Sequence, residues 1–183
     1  MKMLRRLLMF GCGAIGLLVL IIVVSGTFLP SRWNVETSAI SPHSPQVLWP
    51  LISNFESWSE WSGWDDEAYG MRSIQVVGEP ATVGHSYSWS SKGSRGTLTI
   101  TRAKENEGIW YDGAIESDTP NAEGSITLNL LPNGSTNIVW IDEGDLPPLT
   151  GLLALWMNSL MKAKFAEDLH RLSVIKPTES SGR

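Results

Sequence analysis

The residues best able to do chemistry in this chain are three histidines, one cysteine and scattered carboxylates. His43, His85 and His170 are far apart, and no two of them stand one helical turn apart at the spacing of metal ligands. Cys12 is the only cysteine, so an internal disulfide, a thiolate zinc site and an iron–sulfur cluster are excluded. We therefore predict neither a metal site nor a bound cofactor.

Carboxylates offer the remaining route to acid-base chemistry, but the sequence singles none of them out. Residues 65–67 are three adjacent acids in a polar stretch, which is typical of a solvated loop. Four other charged residues share the strand phase of apolar neighbours, which would turn them to an inner face: Arg102, Asp112, Glu116 and Asp142. A hairpin register shifted by one residue would turn Asp112 outward instead. No catalytic residue is assigned, and the signature motifs of hydrolases, P-loop proteins and dinucleotide-binding folds are absent.

Composition excludes one class of partner. The chain has 183 residues with 14 basic and 19 acidic side chains, and residues 1–29 contain three of the basic ones and no acid. The later residues, with 11 basic and 19 acidic side chains, are too acidic to bind nucleic acid through its phosphates. Their length is typical of one domain. All nine tryptophans follow residue 29, which gives that domain the means to bury a large apolar area.

Residues 7–29 are 23 residues without a charged side chain and predict a membrane-spanning helix. As a helix the stretch is about 35 Å long at ~1.5 Å per residue, and 14 of its residues are Leu, Ile, Val or Phe. Lys2, Arg5 and Arg6 precede it, so we expect a single-pass protein of the cell membrane with a cytoplasmic N-terminus and an extracytoplasmic domain. The alternative is a signal peptide cleaved near residues 24–26, which would leave a secreted domain.

The rest of the chain predicts an α+β domain at residues 30–176 and a disordered polar tail at 177–183. Alternating polarity predicts a first strand at residues 33–40. Ser44 as N-cap and Pro45 at the first helical position then begin a short helix.

Beyond this helix the sequence predicts an aromatic helical turn and a run of strands. Trp58, Trp61 and Trp64 recur every third residue and so present one aromatic edge. Six further strands, each ended by turn residues, are predicted at residues 71–77, 85–90, 96–104, 109–116, 124–131 and 136–143. Because most of them follow one another as hairpins, the seven strands should form one antiparallel sheet.

A long helix is predicted at residues 150–175, and its two halves differ. In the second half Phe165, Leu169 and Leu172 form one apolar stripe with Asp168 on the polar side, which is the pattern of a half-buried helix. The first half is apolar nearly all round. We expect it to be buried on more than one side, or to contact a ligand or a membrane.

The order of these elements and two local motifs resemble one known superfamily. WSEWSGW at residues 58–64 resembles a W-x-x-W-x-P-W segment with Gly63 in place of the usual proline, and GSTNIVW at residues 134–140 resembles a G-x-T-x-V-x-W strand. Over residues 33–173 the chain thus resembles the polyketide cyclase/dehydrase and lipid-transport branch of the START-related (SRPBCC) superfamily. The resemblance implies a helix-grip fold, in which a curved sheet wraps round the long C-terminal helix. It also implies a cavity between them that holds a lipid, quinone, sterol or polyketide.

We therefore expect a membrane-anchored module that binds a hydrophobic or lipid-like small molecule noncovalently, rather than an enzyme. The expected site lies where the aromatic edge meets the sheet wall and the first half of the last helix. Its residues are Trp58, Trp61, Trp64, Tyr87, Trp89, Leu152 and Trp156. Two rivals remain: a cyclase/dehydrase-type enzyme that uses cavity carboxylates with Tyr87 or Tyr111, and a scaffold with a closed core. The ligand's identity and the oligomeric state are not predicted.

Overall fold

A computed structural model of the chain describes residues 13, 15–24, 26, 28–63, 71–91, 93–148 and 150–176. Residues 15–24 are helical. Within the described residues, no helix combines the length and the apolar character needed to cross a membrane. The predicted span at residues 7–29 falls partly outside the described residues, and Trp64 and the tail at 177–183 fall wholly outside them.

In the described part of the chain, seven strands form one antiparallel sheet. They are β1 (Arg32–Ser41), β2 (Met71–Val77), β3 (Ser86–Ser91), β4 (Arg95–Lys104), β5 (Gly108–Ile115), β6 (Ala122–Leu130) and β7 (Thr136–Asp145). The order across the sheet is β1-β7-β6-β5-β4-β3-β2. Strands β2 to β7 follow one another as hairpins, whereas β1 pairs with β7, the last strand in the chain. The predicted seven-stranded antiparallel sheet is confirmed.

Helices pack against one face of this sheet. Helix α1 (Pro45–Ser53) is followed at once by a 3-10 helix (Phe55–Glu60), and helix α2 (Gly151–Val174) comes after the last strand. Helix α1 begins at Pro45 as predicted, because proline fits a first helical turn, where its missing N–H would have no partner. Helix α1 packs against β5 and β6, and α2 packs mainly against β1.

Side-chain alternation decides which face of the sheet forms the core. On β7, Thr136, Ile138, Trp140, Asp142 and Gly144 are buried while the residues between them are more exposed. The buried face, here called the inner face, packs against the helices. The opposite face, here called the outer face, meets solvent.

A bulge in β4 settles the register that the sequence left open. Ile100 pairs with Tyr111 and Arg102 pairs with Trp110, so one extra residue lies between the two positions on β4. Arg102 and Trp110 share the outer face, where the guanidinium carbon lies 4.3 Å from the ring centroid. Tyr111 takes the inner face, and Asp112 therefore turns outward with Trp110. The pattern that would have turned Arg102 and Asp112 inward fails because of the bulge.

Helix α2 is buried along its second half and largely exposed along its first. Phe165, Leu169 and Leu172 are buried as predicted, and Phe165 stacks on Trp140 with ring centroids 4.0 Å apart. In the first half, most of the large side chains are exposed. Burial of this half on more than one side, one of the alternatives from the sequence, is therefore excluded.

Asp168, predicted on the polar side of α2, is instead fully buried. It forms an ion pair with Lys164, one turn earlier on the helix, and its Oδ1 accepts a hydrogen bond from the Gly63 backbone N–H at 3.1 Å. A proline at residue 63 would have no N–H to donate. The departure at Gly63 from the proline of the resembled motif thus coincides with a buried acid that needs this donor.

Replacing Trp140 by alanine should lower the free energy of unfolding by about 3 to 5 kcal/mol, because a large buried ring would leave a cavity. The matched control is Trp110→Ala, since this ring lies on the outer face and is only half-buried. Denaturant unfolding of both variants measures the difference. Equal losses in the two variants would contradict the assignment of Trp140 to the core.

Candidate functional site

Aromatic rings form a continuous row along the inner face, here called the aromatic row: Trp61, Trp58, Phe55, Tyr87 and Trp89. Successive ring centroids lie 5.2, 4.9, 6.1 and 6.1 Å apart. The row joins the 3-10 helix and the residue after it to β3. It contains four of the seven predicted ligand-site residues. Phe55 links the two pairs, although the sequence marks it only as a core position at helical spacing.

Burial decreases along the aromatic row. Trp58 and Trp61 are enclosed in the core, Tyr87 is nearly so, and Trp89 is half-buried. The indole of Trp89 lies on Gly96, its cross-strand partner, where a Cβ would come within 2.4 Å of the ring. Its Nε1 donates a hydrogen bond to Ser94 Oγ at 3.2 Å. Trp89 is thus held in place where the row reaches the surface.

Trp89 belongs to a partly exposed patch of the inner face, here called the open apolar end. Its members are Ile74, Val76, Trp89, Leu98 and Ile115. They lie on adjacent strands, since Ile74 pairs with Trp89 and both Trp89 and Ile115 pair with Gly96. Helix α2 packs against β1 and β7, which lie at the opposite edge of the sheet from β2 and β3, so it does not cover these five side chains. The five side chains can cover the apolar part of a small molecule, and none of them is an acid, a base or a metal ligand.

The two predicted site residues on α2 lie elsewhere. Leu152 and Trp156 are exposed, on the side of the helix opposite to the buried Ala154 and Phe165. Trp64 lies outside the described residues. The structure therefore brings together the four predicted residues of the aromatic row, but it does not bring the two residues of α2 to them.

A second candidate site lies deeper in the core, around Asp142 on β7. Its Oδ1 accepts a hydrogen bond from Trp33 Nε1 at 2.9 Å, and its Oδ2 accepts one from the Tyr111 hydroxyl at 2.8 Å. The Tyr111 oxygen accepts in turn from Trp140 Nε1 at 2.8 Å. None of these four residues, here called the Asp142 cluster, is more than 7% exposed. Both carboxylate oxygens are therefore satisfied by neutral donors of the protein.

Two glycines make room for the Asp142 cluster. Gly124 pairs with Tyr111 on one side and with Asp142 on the other, so the Tyr111 ring crosses it to reach the carboxylate. A Cβ at residue 124 would lie 2.4 Å from the Tyr111 hydroxyl oxygen. A Cβ on Gly144 would lie 2.1 Å from the Trp33 ring. The signal for this cluster is a glycine that pairs with an aromatic residue on the inner face. The sequence alone does not show it, because the pairing depends on the strand register.

Burial sets the protonation chemistry of the Asp142 cluster. It raises the pKa of Asp142 to about 6, and the hydrogen bonds from Trp33 and Tyr111 limit the rise because they stabilise the charged form. Burial, followed by the Asp142 charge, also raises the pKa of Tyr111 well above its usual value. Asp142 can therefore exchange a proton near neutral pH, while Tyr111 stays protonated and donates.

The histidines do not share a site. His85 is buried beside Phe55, whose backbone N–H donates to His85 Nε2 at 2.9 Å. The hydrogen is therefore on Nδ1, which donates to the Gly78 carbonyl at 3.1 Å. His43 Nε2 lies 2.8 Å from the Ile175 carbonyl. Among the residues that the structure describes, no three His, Cys, Asp or Glu side chains lie close enough to hold a metal ion.

The outer face carries shallow grooves of a different character. One, of about 380 Å³, is lined in part by Arg102, Asp112 and Glu143. An adjoining groove contains Arg32, which pairs with Glu143 at 3.2 Å and with Glu123 at 3.6 Å. These charges would have to be desolvated to hold an apolar molecule, which costs free energy. The uncharged open apolar end of the inner face is therefore a better candidate than these grooves for an apolar ligand.

Asp142→Asn should flatten the pH dependence of stability between pH 4 and pH 7. The pKa of Asp142 is raised in the folded state, so the folded state holds the proton more tightly than the unfolded state does. Stability from this group is present below the unfolded pKa of about 4 and is lost as the pH rises through about 6. A rise of roughly two pKa units corresponds to a loss of about 3 kcal/mol by pH 7.

Urea unfolding at pH 4, 5, 6 and 7 checks this prediction. The asparagine variant does not titrate at residue 142, so it should lose less stability than the wild type between pH 4 and pH 7. Parallel profiles for the wild type and Asp142→Asn would contradict the raised pKa.

Several solved structures share this arrangement of sheet and helix. A protein of unknown function from Staphylococcus aureus is 10% identical, with a TM-score of 0.60, and the match covers 77% of this chain and 91% of that one. A protein from Thermobifida fusca is 17% identical, with a TM-score of 0.60 and coverage of 76% and 90%. DynU16, a putative protein in the dynemicin biosynthetic locus, is 13% identical, with a TM-score of 0.55 and coverage of 76% and 45%. At these identities the likeness shows the fold alone.

A comparison with curated proteins finds no match to the chain. The family model described as polyketide cyclase / dehydrase and lipid transport matches residues 32–173. This range begins with β1 and ends in the last turn of α2, so it includes the aromatic row, the open apolar end and the Asp142 cluster. The chain therefore belongs to the polyketide cyclase/dehydrase and lipid transport family, as its motifs predicted.

Proposed function

We propose that the domain binds a hydrophobic or lipid-like small molecule noncovalently, with the apolar part of that molecule against the open apolar end. The observation that carries this proposal is the partial exposure of five uncharged residues on the inner face, the face that forms the core elsewhere in the sheet. Such a surface is stabilised when it is covered. A lipid-like ligand of the kind named in the family's description would cover it.

A lipid-like ligand that buries ten methylene groups gains roughly 8 kcal/mol before the costs of ordering. A ligand held in this way would be retained during purification. The Trp89 ring, held by Gly96 and Ser94, is already in place and loses little freedom on binding. The rest of the aromatic row backs this ring from the core and keeps the wall rigid.

The apolar N-terminal segment would hold this domain at a membrane. Its described residues 15–24 are helical and their side chains are exposed. Only three residues separate Leu29 from Trp33 on β1, and four extended steps reach at most about 14 Å. The domain would therefore stay against the bilayer surface. The three basic residues before the segment favour a cytoplasmic N-terminus and an extracytoplasmic domain.

A cyclase/dehydrase-type enzyme is the second candidate, and one observation favours it. Asp142 has a pKa of about 6 and is hydrogen-bonded to Tyr111, so the pair has the groups of an acid-base catalyst. However, both oxygens of Asp142 already accept hydrogen bonds from the protein. A reacting molecule would have to displace one of these donors in the core. Noncovalent binding is therefore better supported than catalysis.

Trp89→Ala should weaken the binding of a fluorescent fatty-acid analogue at least tenfold, because it removes the largest side chain of the open apolar end. Trp110→Ala is the control, since it removes the same side chain from the outer face of the sheet and should leave the affinity unchanged. The measurement is a titration of residues 30–183 that follows the fluorescence of the ligand. Circular dichroism confirms that each variant is folded.

Mass spectrometry of the detergent-extracted full chain complements this titration. A copurifying apolar molecule, lost in Trp89→Ala and kept in Trp110→Ala, supports the proposal. If the folded domain neither copurifies with an apolar molecule nor binds the analogue, the scaffold interpretation replaces it. Turnover of a bound molecule that is lost in Asp142→Asn while binding persists would favour the enzyme.

Protease added to intact spheroplasts should digest the domain, because the proposed topology exposes it outside the cytoplasm. The same membranes washed with alkaline carbonate should retain the undigested chain, because the N-terminal helix spans the bilayer. Full protection of the domain in unlysed spheroplasts would contradict the orientation. A mature protein that begins near Thr27 would replace the anchor with a signal peptide.

A further inference from the structure

The first half of α2 carries an exposed surface that the proposed ligand site does not use. Residues 150–161 contain no acidic, basic or histidine side chain. Five large apolar side chains in this half are between 43% and 62% exposed. Together they are called the α2 apolar face: Leu152, Leu153, Leu155, Trp156 and Leu160. A large exposed apolar patch on a folded domain usually marks a surface that binds a membrane, a protein or a ligand.

The α2 apolar face points away from the sheet. Leu152, Trp156 and Leu160 follow one another at intervals of four residues and so form one ridge along the helix. Trp156 is nine residues before Phe165, which is two and a half turns, so the two side chains lie on opposite sides of the helix. Phe165 packs in the core, and the ridge therefore faces outward.

The start of α2 packs against the end of the apolar N-terminal segment. A Cβ on Gly151, the first residue of α2, would lie 2.3 Å from Leu29 Cβ and 2.8 Å from the Leu29 carbonyl oxygen. Close to this contact, the Leu146 backbone N–H donates to the Ser31 carbonyl at 2.8 Å. Leu29 is thus seated on the helix itself and is not separated from it by a free linker.

We propose that the α2 apolar face lies in the interfacial layer of the same bilayer in which the N-terminal segment is anchored. This inference rests on the anchor of the proposed function. The contact between Leu29 and Gly151 places the α2 apolar face beside the point where the anchor leaves the membrane. From Gly151 to Leu160 the helix rises about 14 Å, so the whole face stays near that point.

Charge and side-chain type favour a lipid surface as the occupant. Trp156 is the most exposed member of the α2 apolar face, and tryptophan is enriched at membrane interfaces. The first charged residue of the helix is Lys162, beyond the last member of the face. The residues after 29 carry 11 basic and 19 acidic side chains, so electrostatic attraction to anionic lipid does not drive the contact. Docking should therefore depend on apolar burial and be insensitive to salt.

Docking in this orientation would hold β1 beside the membrane, and the open apolar end lies across the sheet from β1. Trp33, four residues after Leu29, pairs with Gly144, and the pairing continues through Ala122 and Gly113 to Leu98 of the open apolar end. Four strand spacings of ~4.8 Å separate β1 from β4, about 19 Å in all. A lipid-like molecule that leaves the bilayer beside β1 would have about this distance to cover before it reaches the open apolar end.

The test compares two positions on one face of α2. Trp156 and Val174 are 18 residues apart, which is five full turns, and are 62% and 59% exposed. Trp156→Cys or Val174→Cys is made in the full chain with Cys12→Ser and labelled with a polarity-sensitive fluorophore. Each protein is reconstituted in phosphatidylcholine vesicles that contain a lipid-borne quencher. We expect the label at position 156 to be quenched at least threefold more than the label at position 174, with no change on adding anionic lipid or 0.5 M salt.

The outcomes separate this inference from the function on which it rests. Equal quenching at the two positions, in protein that floats with the vesicles, overturns the docking while the anchor stands. Blue-shifted emission at position 156 without lipid quenching also overturns it, because it indicates burial against a second copy or another protein. Protein that does not float with the vesicles contradicts the anchor itself. The titration of Trp89→Ala reports on the ligand site independently of all three.

Discussion

The inner face of the sheet depends on aromatic rings that lie directly on glycines of the neighbouring strand. The pairs are Trp89 with Gly96, Tyr111 with Gly124, and Trp33 with Gly144. In each pair a Cβ on the glycine would come within 2.1 to 2.4 Å of the aromatic side chain, so no other residue fits without displacing it. Because the rings lie along the sheet, their polar atoms reach across strands while their faces remain in the core. This arrangement fixes the position of the Trp89 ring, and it also brings the hydrogen-bond donors to Asp142.

Two buried carboxylates in the core are compensated in different ways. Asp168 has a full counter-charge in Lys164 and a backbone donor in Gly63, so it ties α2 to the segment after the 3-10 helix. Asp142 has neutral donors at both oxygens, and its charge is less well compensated. Burial beside neutral donors alone raises the pKa of Asp142 to about 6. Asp142 therefore makes the stability of the core sensitive to pH.

Local patterns predicted the elements of this fold well, and side-chain orientation less well. Strand ends were predictable because turn residues separate the hairpins. The extra residue in β4 was not predictable, since Thr101 suits a strand in either phase. Only the two pairings on either side of it, Ile100 with Tyr111 and Arg102 with Trp110, reveal it. The period of the tryptophans brought Trp58 and Trp61 to the aromatic row. The sequence of a helix that is apolar on all sides does not indicate which side packs against the sheet. The exposure of Trp156 could therefore not be predicted without knowing how α2 packs.

The pairing of β1 with β7 also decides when the fold can be completed. The two elements that β1 contacts, β7 and α2, are the last to be made. About 140 residues lie between the start of β1 and the end of α2. At ~5–20 residues per second, synthesis of that interval takes on the order of ten seconds. Until β7 has been made, β1 has no strand to pair with, and only the hairpins from β2 onward can form. The high contact order of this pairing makes the domain slow to complete and leaves its first strand unpaired, and so prone to aggregation, until β7 and then α2 have been synthesised.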